Sequence, residues 1–493
     1  MKVAFVVSET FPFAKTGGLA DVAGALPKAL SRLGCDIKLF MPKYGIIDER
    51  KYQLKFIESF NTPIRIAGNI RNTFLHKGFL PGTNVEVNFI DCPYYFNRGR
   101  IYTNDEDEDE RFILFNKAVI EIIQKSGWFP DIIHCNDWQT GLLPHYIKAN
   151  YSRDSKFSKT KTLFTIHNIG YQGIFKNDTF YKSEINKDII NKFDPDPADD
   201  FSFLKTGILF SDIINTVSQA YANEIISPEY GSGMEAILKK RKNKLYGIIN
   251  GIDYSEWDPL TDENIPFHFG INNLNFKKRN KKYLLENFDL MYNEDIPLIG
   301  VVSRMVKQKG FDIVEKVSKE LMNLNLQWVI LGSGENQYED LFRSLTHTYP
   351  DKIANYIGYN NQLAHLIEAG SDMFLMPSHY EPCGLNQLYS LRYGTVPIVR
   401  KTGGLADTVK DWHELKDSGS ESGTGFSFNS YSASALLTTV TRALDTFYNR
   451  EIWKKIQING MNKDFSWERS GKEYIKLYKK AMGKRNQPNL PVT

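Results

Sequence analysis

Two basic residues stand where they would neutralise the charge of a diphosphate. Arg304 and Lys309 follow the apolar run 297–303, whose β-branched residues predict a buried strand. A guanidinium offers a planar fork of donors and an ammonium a compact charge, so together they suit phosphate oxygens. A solvated basic turn would have the same composition, and we interpret the neighbouring Lys307 in that way.

Three further polar residues come at the ends of predicted strands: Glu381, His167 and Asp137. Ligands of α/β sheets bind at the carboxyl ends of the strands, so each is a candidate site residue. Position alone leaves a structural alternative open for each. Glu381 would also suit a helix start, where the dipole stabilises a carboxylate, and a lone histidine is more often a satisfied structural residue.

The sequence predicts neither a metal ion nor a nicotinamide cofactor. His134, Asp137 and His145 do not have the spacing of a metal site, and no G-x-G-x-x-G pattern follows the first predicted strand. Asp194 and Asp196 form a D-x-D pair, but the prolines beside them indicate an exposed turn.

The heptapeptide Lys-Thr-Gly-Gly-Leu-Ala-Asp occurs twice, at residues 15–21 and 401–407. Each copy follows a predicted strand and opens a helical pattern. Paired glycines let a ligand approach backbone N–H groups closely, and a helix N-terminus favours an anion. One copy alone would equally suit a tight turn, whereas two copies favour binding of a phosphate or another polar ligand.

These candidate residues need parallel strands to position them. Residues 2–8 predict a strand, apolar residues at helical spacing follow, and Gly34 stands where a helix would end. This βαβ pattern recurs, and a second strand series begins at 297. The motif Asn-Gly-Ile-Asp at 250–253 and the turn-rich stretch 257–275 lie between the two series. We therefore expect two doubly wound halves with a cleft between them.

The amino-acid composition indicates which partners the protein is expected to bind and in which cellular compartment it is expected to lie. The chain has 61 Lys+Arg against 58 Asp+Glu, a net charge of +3, which argues against nucleic-acid and membrane partners. The acidic run 105–110 is interpreted as a solvated turn before a helix. Four cysteines in 493 residues do not suggest a disulfide framework, and neither a membrane span nor a signal peptide is recognisable. We expect a cytoplasmic protein.

Several motifs together resemble those of the bacterial glycogen synthases and plant starch synthases, a family of retaining glucosyltransferases that use ADP-glucose. The motifs lie at residues 15–22, 134–138, 165–173, 250–253, 303–310, 381–385 and 401–404, and the stretch 465–478 resembles the family's terminal helix. The resemblance covers almost the whole chain. Met305 stands where leucine is usual, and Asn360 and Asn361 where an acidic or small residue is frequent.

The resemblance implies an α/β protein of the GT-B fold, with two Rossmann-like doubly wound domains facing a deep inter-domain cleft. The N-terminal domain would span 1–248, on the acceptor side and with part of the donor site. The nucleotide-sugar domain would span 249–465, and a terminal helix and tail over 466–493 would cross back to the first domain. Catalysis would then require domain closure.

The resemblance also implies the roles of individual residues. The catalytic group would comprise Glu381 beside the glucosyl ring, His167 and Asp137 near the transferred sugar, and the diphosphate clamp Arg304 and Lys309. Tyr359 would stack on adenine. The full set implied to bind ADP-glucose is Lys15, Gly17, Gly18, Asn250, Tyr359, Cys383, Gly384, Leu385, Thr402, Gly403 and Gly404, with no metal ion or cofactor.

The implied reaction transfers glucose from ADP-glucose to the non-reducing end of an α-1,4-glucan, glycogen or a maltooligosaccharide, with retention of configuration. The cations would stabilise the leaving diphosphate, which would take the acceptor's proton on the same face. Two alternatives stay open. One is a GT-B glucosyltransferase that uses UDP-glucose or another glycan acceptor, and the other is a non-catalytic glucan-binding protein.

Overall fold

The computed structural model describes residues 1–196 and 199–483. The chain divides into two compact units: unit 1 comprises Met1–Gly251 and the chain from Trp467 onward, and unit 2 comprises Ile252–Ser466. The junctions predicted from the sequence are at 249 and 466. The predicted tail beyond 483 lies outside the described residues.

A mixed sheet forms the framework of unit 1. Its strands in chain order are β1 (Lys2–Val6), β2 (Asp36–Pro42), β3 (Lys55–Phe56), β4 (Thr62–Ile66), β5 (Asn69–Phe79), β6 (Glu86–Asp91), β7 (Ile132–Asn136), β8 (Lys161–Ile166), β9 (Ile174–Phe175), β10 (Phe201–Ser202), β11 (Ile213–Thr216) and β12 (Leu245–Gly247). The sheet order is β12-β11-β8-β7-β1-β2-β6-β5-β3, and β4 pairs with β5. From β12 to β6 the strands run parallel, whereas β5 is antiparallel to β6, β3 and β4. β9 and β10 form a separate antiparallel pair.

The chain changes direction across this sheet at β1. β2 and β6 lie on one side of β1, and β7 and β8 lie on the other. The loops that follow β1 and β7 therefore meet at a topological switch point, the usual ligand-binding edge of such sheets. The last four residues of β1 are fully buried, as is typical of a parallel strand covered on both faces.

The helices of unit 1 before the junction are α1 (Gly18–Arg32), α2 (Pro93–Phe96), α3 (Glu108–Ser126), α4 (Leu143–Asn150), α5 (Thr179–Ser183), α6 (Lys187–Phe193), α7 (Phe203–Phe210), α8 (Gln219–Glu224) and α9 (Glu235–Lys240). α1 begins within the first copy of the heptapeptide. It ends just before Gly34, whose φ of +88° gives the left-handed terminus that the sequence predicts.

Only the first part of the acidic run 105–110 is the solvated turn that we interpreted it to be, since Asp105 and Glu106 are exposed before the helix. α3 already begins at Glu108, and both Glu108 and Asp109 are buried. The fully buried Arg111 guanidinium pairs with Glu108, and the Lys182 ammonium lies 3.0 Å from the Asp109 carboxylate. Arg111 lies three residues from Glu108 on the same helix, but Lys182 is distant in sequence, so the local pattern reveals only part of this charge compensation.

Unit 2 contains a smaller, parallel sheet. Its strands are β13 (Leu298–Val302), β14 (Gln327–Gly332), β15 (Ile353–Ile357), β16 (Met373–Met376), β17 (Val396–Arg400) and β18 (Phe426–Phe428). The sheet order is β15-β14-β13-β16-β17-β18. The next two strands in the chain, β14 and β15, lie on one side of β13, and β16, β17 and β18 lie on the other. The switch point is therefore between β13 and β16.

The helices of unit 2 are α10 (Lys277–Glu286), α11 (Phe311–Lys316), α12 (Ser318–Asn323), α13 (Asn336–Thr348), α14 (Asn361–Gly370), α15 (Asn386–Arg392), α16 (Gly403–Thr408), α17 (Trp412–Asp417), α18 (Ala433–Phe447) and α19 (Arg450–Met461), and α20 (Trp467–Ala481) follows in unit 1. Among the helices of residues 1–196 and 199–483, none combines the length and apolar character that a membrane span needs.

A buried polar network joins α20 to the sheet of unit 1. The Tyr478 hydroxyl lies 2.7 Å from Nδ1 of His134 on β7, and Nε2 of His134 lies 2.7 Å from the Thr165 hydroxyl on β8. Thr165 donates to the side-chain oxygen of Asn215 on β11, and the Asn215 amide donates to the Tyr474 hydroxyl at 3.4 Å. The terminal helix is therefore held by specific polar contacts as well as by apolar packing.

We expect Tyr478→Phe to lower the free energy of unfolding by about 1 to 3 kcal/mol, because it leaves a buried imidazole nitrogen without its partner. Urea unfolding followed by circular dichroism measures the change. Tyr181→Phe, at a tyrosine that is 74% exposed, is the matched control and should have little effect. Equal stability of the two variants would show that the His134 contact contributes nothing to the docking of α20.

Candidate active site

A cavity of about 190 Å3 opens at the switch point of unit 2. The loop after β13 supplies Arg304 and Lys309 to its lining, and the loop after β16 supplies Glu381, Gly384 and Leu385. These five residues of the predicted site are thus brought together because β13 and β16 are neighbours in the sheet. The position is the one where ligands of doubly wound sheets bind.

The most specific contact in this cavity is an ion pair. The Lys309 ammonium lies 2.6 Å from Oε2 of Glu381, whose side chain is only 8% exposed. The Ser378 hydroxyl donates to the same oxygen at 3.0 Å. Glu381 is therefore a buried, doubly hydrogen-bonded carboxylate rather than an exposed helix-start residue.

Arg304 completes the charge pattern of the cavity. Its side chain is exposed and belongs to the same lining as the Lys309–Glu381 pair. Among the described residues that line the cavity, Glu381 is the one carboxylate, against the two cations Arg304 and Lys309. This excess of positive charge suits an anionic ligand.

The second copy of the heptapeptide, residues 401–407, packs against the backbone of the loop that contains Glu381. A Cβ atom placed on Gly403 would lie 2.0 Å from the Glu381 carbonyl oxygen, and one on Gly404 would lie 2.0 Å from the Cys383 carbonyl oxygen. The Gly404 N–H donates to the Glu381 carbonyl at 3.1 Å. The glycine pair is thus required by close packing of the two loops, and Cys383 and Thr402 are buried beside it.

Two residues that the sequence analysis did not single out hold the same segment. Ser378 donates to Glu381, as described above, and the Gln387 amide donates to the carbonyls of Cys383 and Gly384 at 2.9 and 3.2 Å. Ser378 follows the end of β16 and Gln387 is in α15, so only their nearness to Glu381 in the sequence hinted at a role.

Tyr359 is not among the residues that line this cavity in the described part of unit 2. It follows β15, is 77% exposed, and donates from its hydroxyl to the Asn361 side-chain oxygen at 3.2 Å. Its ring is available on the surface of unit 2, at the same edge of the sheet as the cavity. The predicted stacking on adenine stays a prediction.

In unit 1 the structure brings Asp137 and His167 together. Asp137 follows β7 and His167 follows β8, and the His167 backbone N–H donates to the Asp137 carboxylate at 2.7 Å. Nε2 of His167 lies 3.0 Å from the side-chain oxygen of Asn136. The imidazole is therefore oriented by the strand next to its own.

Asp137 has an unusual backbone and an unusual environment. Its φ of +57° lies in the region that residues other than glycine rarely adopt. Burial raises the pKa of its carboxyl to about 7, against the hydrogen bonds donated by the backbone of His167 and Asn168. Burial also lowers the pKa of His167 to about 3. Perturbed groups at a sheet edge are typical of functional sites.

The first copy of the heptapeptide differs from the second. A Cβ atom on Gly18 would have no neighbour within 4 Å, and one on Gly17 would have only Oε1 of Glu9 at 3.9 Å. The Lys15 ammonium lies 2.6 Å from the Asp21 carboxylate. The glycines of this loop are thus exposed, and protein packing does not explain them.

Asn250 lies at the end of unit 1, beyond β12. Its side chain is buried, and its oxygen has no hydrogen-bond partner among the residues that the structure describes. A buried amide oxygen of this kind is left available for a donor group on a ligand.

The two glycine pairs give a matched test. Gly404→Ala should lower the free energy of unfolding by about 1 to 3 kcal/mol, because the new methyl group displaces the Cys383 backbone. Gly18→Ala should change it by less than about 0.5 kcal/mol, because the methyl group points into open space. Thermal unfolding of both variants measures the contrast. Similar losses in the two would contradict the different packing of the two loops.

Comparison with known proteins agrees with both units. A family model described as the starch synthase catalytic domain matches residues 2–240. A second model, described as glycosyl transferases group 1, matches residues 286–459. The first model lies within unit 1 and the second within unit 2.

Similar proteins match over the full length. The glycogen synthase of Thermosipho africanus is 45% identical over 98% of this chain and 100% of its own. That of Desulforudis audaxviator is 44% identical over 98% of this chain and 97% of its own. The catalytic domain of starch synthase IV from Arabidopsis thaliana, solved with ADP and acarbose, has a TM-score of 0.89 at 32% identity, covering 98% of this chain and 99% of that one.

These comparisons confirm the predicted resemblance, the GT-B fold class and the assignment as a glycosyltransferase that makes a glucan from a nucleotide sugar. The chain belongs to the family of glycogen and starch synthases.

Proposed function

We propose that this protein transfers glucose from ADP-glucose to the non-reducing end of an α-1,4-glucan, with retention of configuration. The observation that carries the proposal is the cavity at the switch point of unit 2, whose described lining contains the cations Arg304 and Lys309 and one carboxylate, Glu381. A nucleotide sugar offers this cavity a diphosphate for the cations and sugar hydroxyls for the carboxylate.

Breaking the bond between glucose and phosphate develops negative charge on the leaving diphosphate. Preorganised cations in a partly desolvated cavity stabilise that charge more in the transition state than in the ground state. We therefore assign the charge compensation to Arg304 and Lys309 instead of a metal ion. Lys309 would then share its ammonium between Glu381 and the diphosphate, which explains why a lysine with three donors occupies the position.

Retention of configuration normally uses two carboxylates about 5 Å apart, one of which is a nucleophile. Among the described residues that line the cavity, Glu381 is the one carboxylate, and it is already engaged by Lys309 and Ser378. This arrangement favours a same-face reaction, in which the leaving phosphate takes the proton of the acceptor hydroxyl. Glu381 would bind the sugar without attacking it.

Unit 1 contributes residues suited to a sugar. Asp137 and His167 form one cluster, and the exposed glycines of the loop of Lys15, Gly17 and Gly18 leave room for a ligand beside it. Asn250 offers an unpartnered amide oxygen in the described structure. We assign these residues to the binding of the transferred glucose and the donor.

ADP is the proposed nucleotide because the starch synthase that this chain resembles at a TM-score of 0.89 was solved with ADP. The alternative is UDP-glucose, with the exposed Tyr359 accepting either base. The proposed location is the cytoplasm, since the four cysteines, all of them buried, suit a reducing compartment.

The donor is tested by transfer of radiolabelled glucose to glycogen from ADP-glucose and, separately, from UDP-glucose. We expect ADP-glucose to have the higher kcat/KM by about tenfold or more, which corresponds to about 1.4 kcal/mol of differential binding. Equal or preferred use of UDP-glucose would overturn the donor assignment. Absence of transfer from both donors, with glycogen still bound, would favour the non-catalytic alternative.

Lys309→Ala and Glu381→Ala should each lower kcat by about 100-fold or more, the usual effect of removing a group that stabilises transition-state charge. Lys307→Ala is the matched control, since this exposed lysine belongs to the same loop but not to the cavity lining. Circular dichroism verifies that the variants fold. Near-normal turnover by Glu381→Ala would contradict its assignment to the reaction centre.

A further inference from the structure

Glu9 lies three residues beyond β1, at the switch point of unit 1, and is only 3% exposed. Acidic side chains are almost never so deeply buried unless other groups engage them. The motifs in the sequence and the proposed function leave Glu9 without a role, so its contacts need a separate explanation.

The Glu9 carboxylate binds the first copy of the heptapeptide. Its Oε2 accepts the backbone N–H of Thr16 at 2.5 Å and the Thr16 hydroxyl at 2.8 Å. The backbone N–H of Gly17 donates to the same carboxylate. Charge-assisted hydrogen bonds of this kind are about twice as strong as neutral ones. Glu9 therefore holds the backbone of the loop 15–18 in place through these hydrogen bonds.

The loop has few other protein contacts. Thr16, Gly17 and Gly18 are exposed, and the nearest atom to a Cβ placed on Gly17 is Oε1 of Glu9. Lys15 reaches Asp21 on α1, which ties the loop to its own helix but not to the sheet. The Lys15 ammonium also lies 5.6 Å from the centre of the Phe11 ring. Glu9 adds hydrogen bonds that link the loop to the chain just after β1.

We infer that Glu9 is a positioning residue that holds the loop 15–18 in the conformation that binds the nucleotide sugar. This inference rests on the proposed function, in which Lys15 and the Gly17 and Gly18 backbone contact the donor. A rigid loop binds without first losing conformational freedom, so releasing it weakens binding more than it slows chemistry.

The charge of Glu9 makes the positioning sensitive to pH. Burial raises the pKa of Glu9, against the hydrogen bonds from Thr16 and Gly17. The titratable groups that act on it or face it are Asp21 on α1, Tyr44 after β2, Tyr102 after α2 and Asp137 after β7. Lys15 in the loop pairs with Asp21. Acidification protonates the carboxyl and replaces an acceptor by a donor, which loosens the loop.

Glu9→Gln tests the role of the carboxylate. The amide retains one oxygen for Thr16 but presents an NH2 group where the Gly17 N–H needs an acceptor. We expect KM for ADP-glucose to rise about tenfold at neutral pH while kcat changes by less than about threefold. The ratio of the KM values of the variant and the wild type should fall toward one as the pH is lowered, because the wild-type carboxyl then also loses its charge.

Glu106→Gln, the same change at an exposed acid of unit 1, is the control and should leave KM unchanged at every pH. An unchanged KM in Glu9→Gln, with normal transfer by the wild type, would overturn the positioning role and leave the proposed function intact. A wild type that transfers glucose from neither ADP-glucose nor UDP-glucose would instead overturn the proposed function.

Thr16→Val keeps the role testable if Glu9→Gln does not fold. This variant removes the hydroxyl donor and keeps the backbone N–H, so KM should rise by about threefold, less than in Glu9→Gln. In the double variant that combines Glu9→Gln and Thr16→Val, the rise in KM should be smaller than the product of the two single rises, because both changes disrupt one interaction. The inference would be contradicted if the two rises in KM multiplied in the double variant, or if KM were unchanged in Thr16→Val alone.

Discussion

The Lys309–Glu381 ion pair is the interaction on which the geometry of unit 2 depends. It joins the loop after β13 to the loop after β16, at 2.6 Å and largely out of water. Desolvating two charges is costly, so such a pair persists only where other groups complete its hydrogen bonds. Ser378 meets that requirement for Glu381. The strand order β14-β13-β16 makes the two loops neighbours, so the fold places Lys309 and Glu381 within reach of each other.

The repeated heptapeptide shows how one sequence performs two tasks. In unit 2 a side chain on Gly403 or Gly404 would collide with the backbone of the Glu381 loop, so packing alone demands glycine there. In unit 1 the space around Gly18 is open, and the loop is held by the hydrogen bond that Thr16 donates to Glu9. The two sequences are identical, but in unit 2 a neighbouring loop comes close enough to require glycine, whereas in unit 1 it does not.

Much of the fold was predictable because strand ends and helix starts have local signals. The apolar runs before Arg304, Glu381 and Asp137 identified the sheet edge correctly, and Gly34 marked the end of α1. Contacts between residues distant in sequence were not predictable. The pairing of His134 with Tyr478, and of Asp109 with Lys182, needs the folded chain to bring them together. Glu9, Ser378 and Gln387 were missed for the same reason, since what distinguishes each is its partner and not its neighbours in the sequence.

At the carboxyl-end edge of the sheet in unit 1, two buried acids, Asp137 and Glu9, lower the stability of the fold. Asp137 combines a left-handed backbone with a carboxyl whose pKa burial raises to about 7, so holding it ionised at neutral pH opposes folding. Glu9 is buried nearby, and its negative charge further raises the pKa of Asp137. Backbone N–H groups of His167, Asn168, Thr16 and Gly17 offset part of this cost. Each of those donors belongs to a loop at this edge of the sheet, so the acids that strain the fold are also the groups that order these loops.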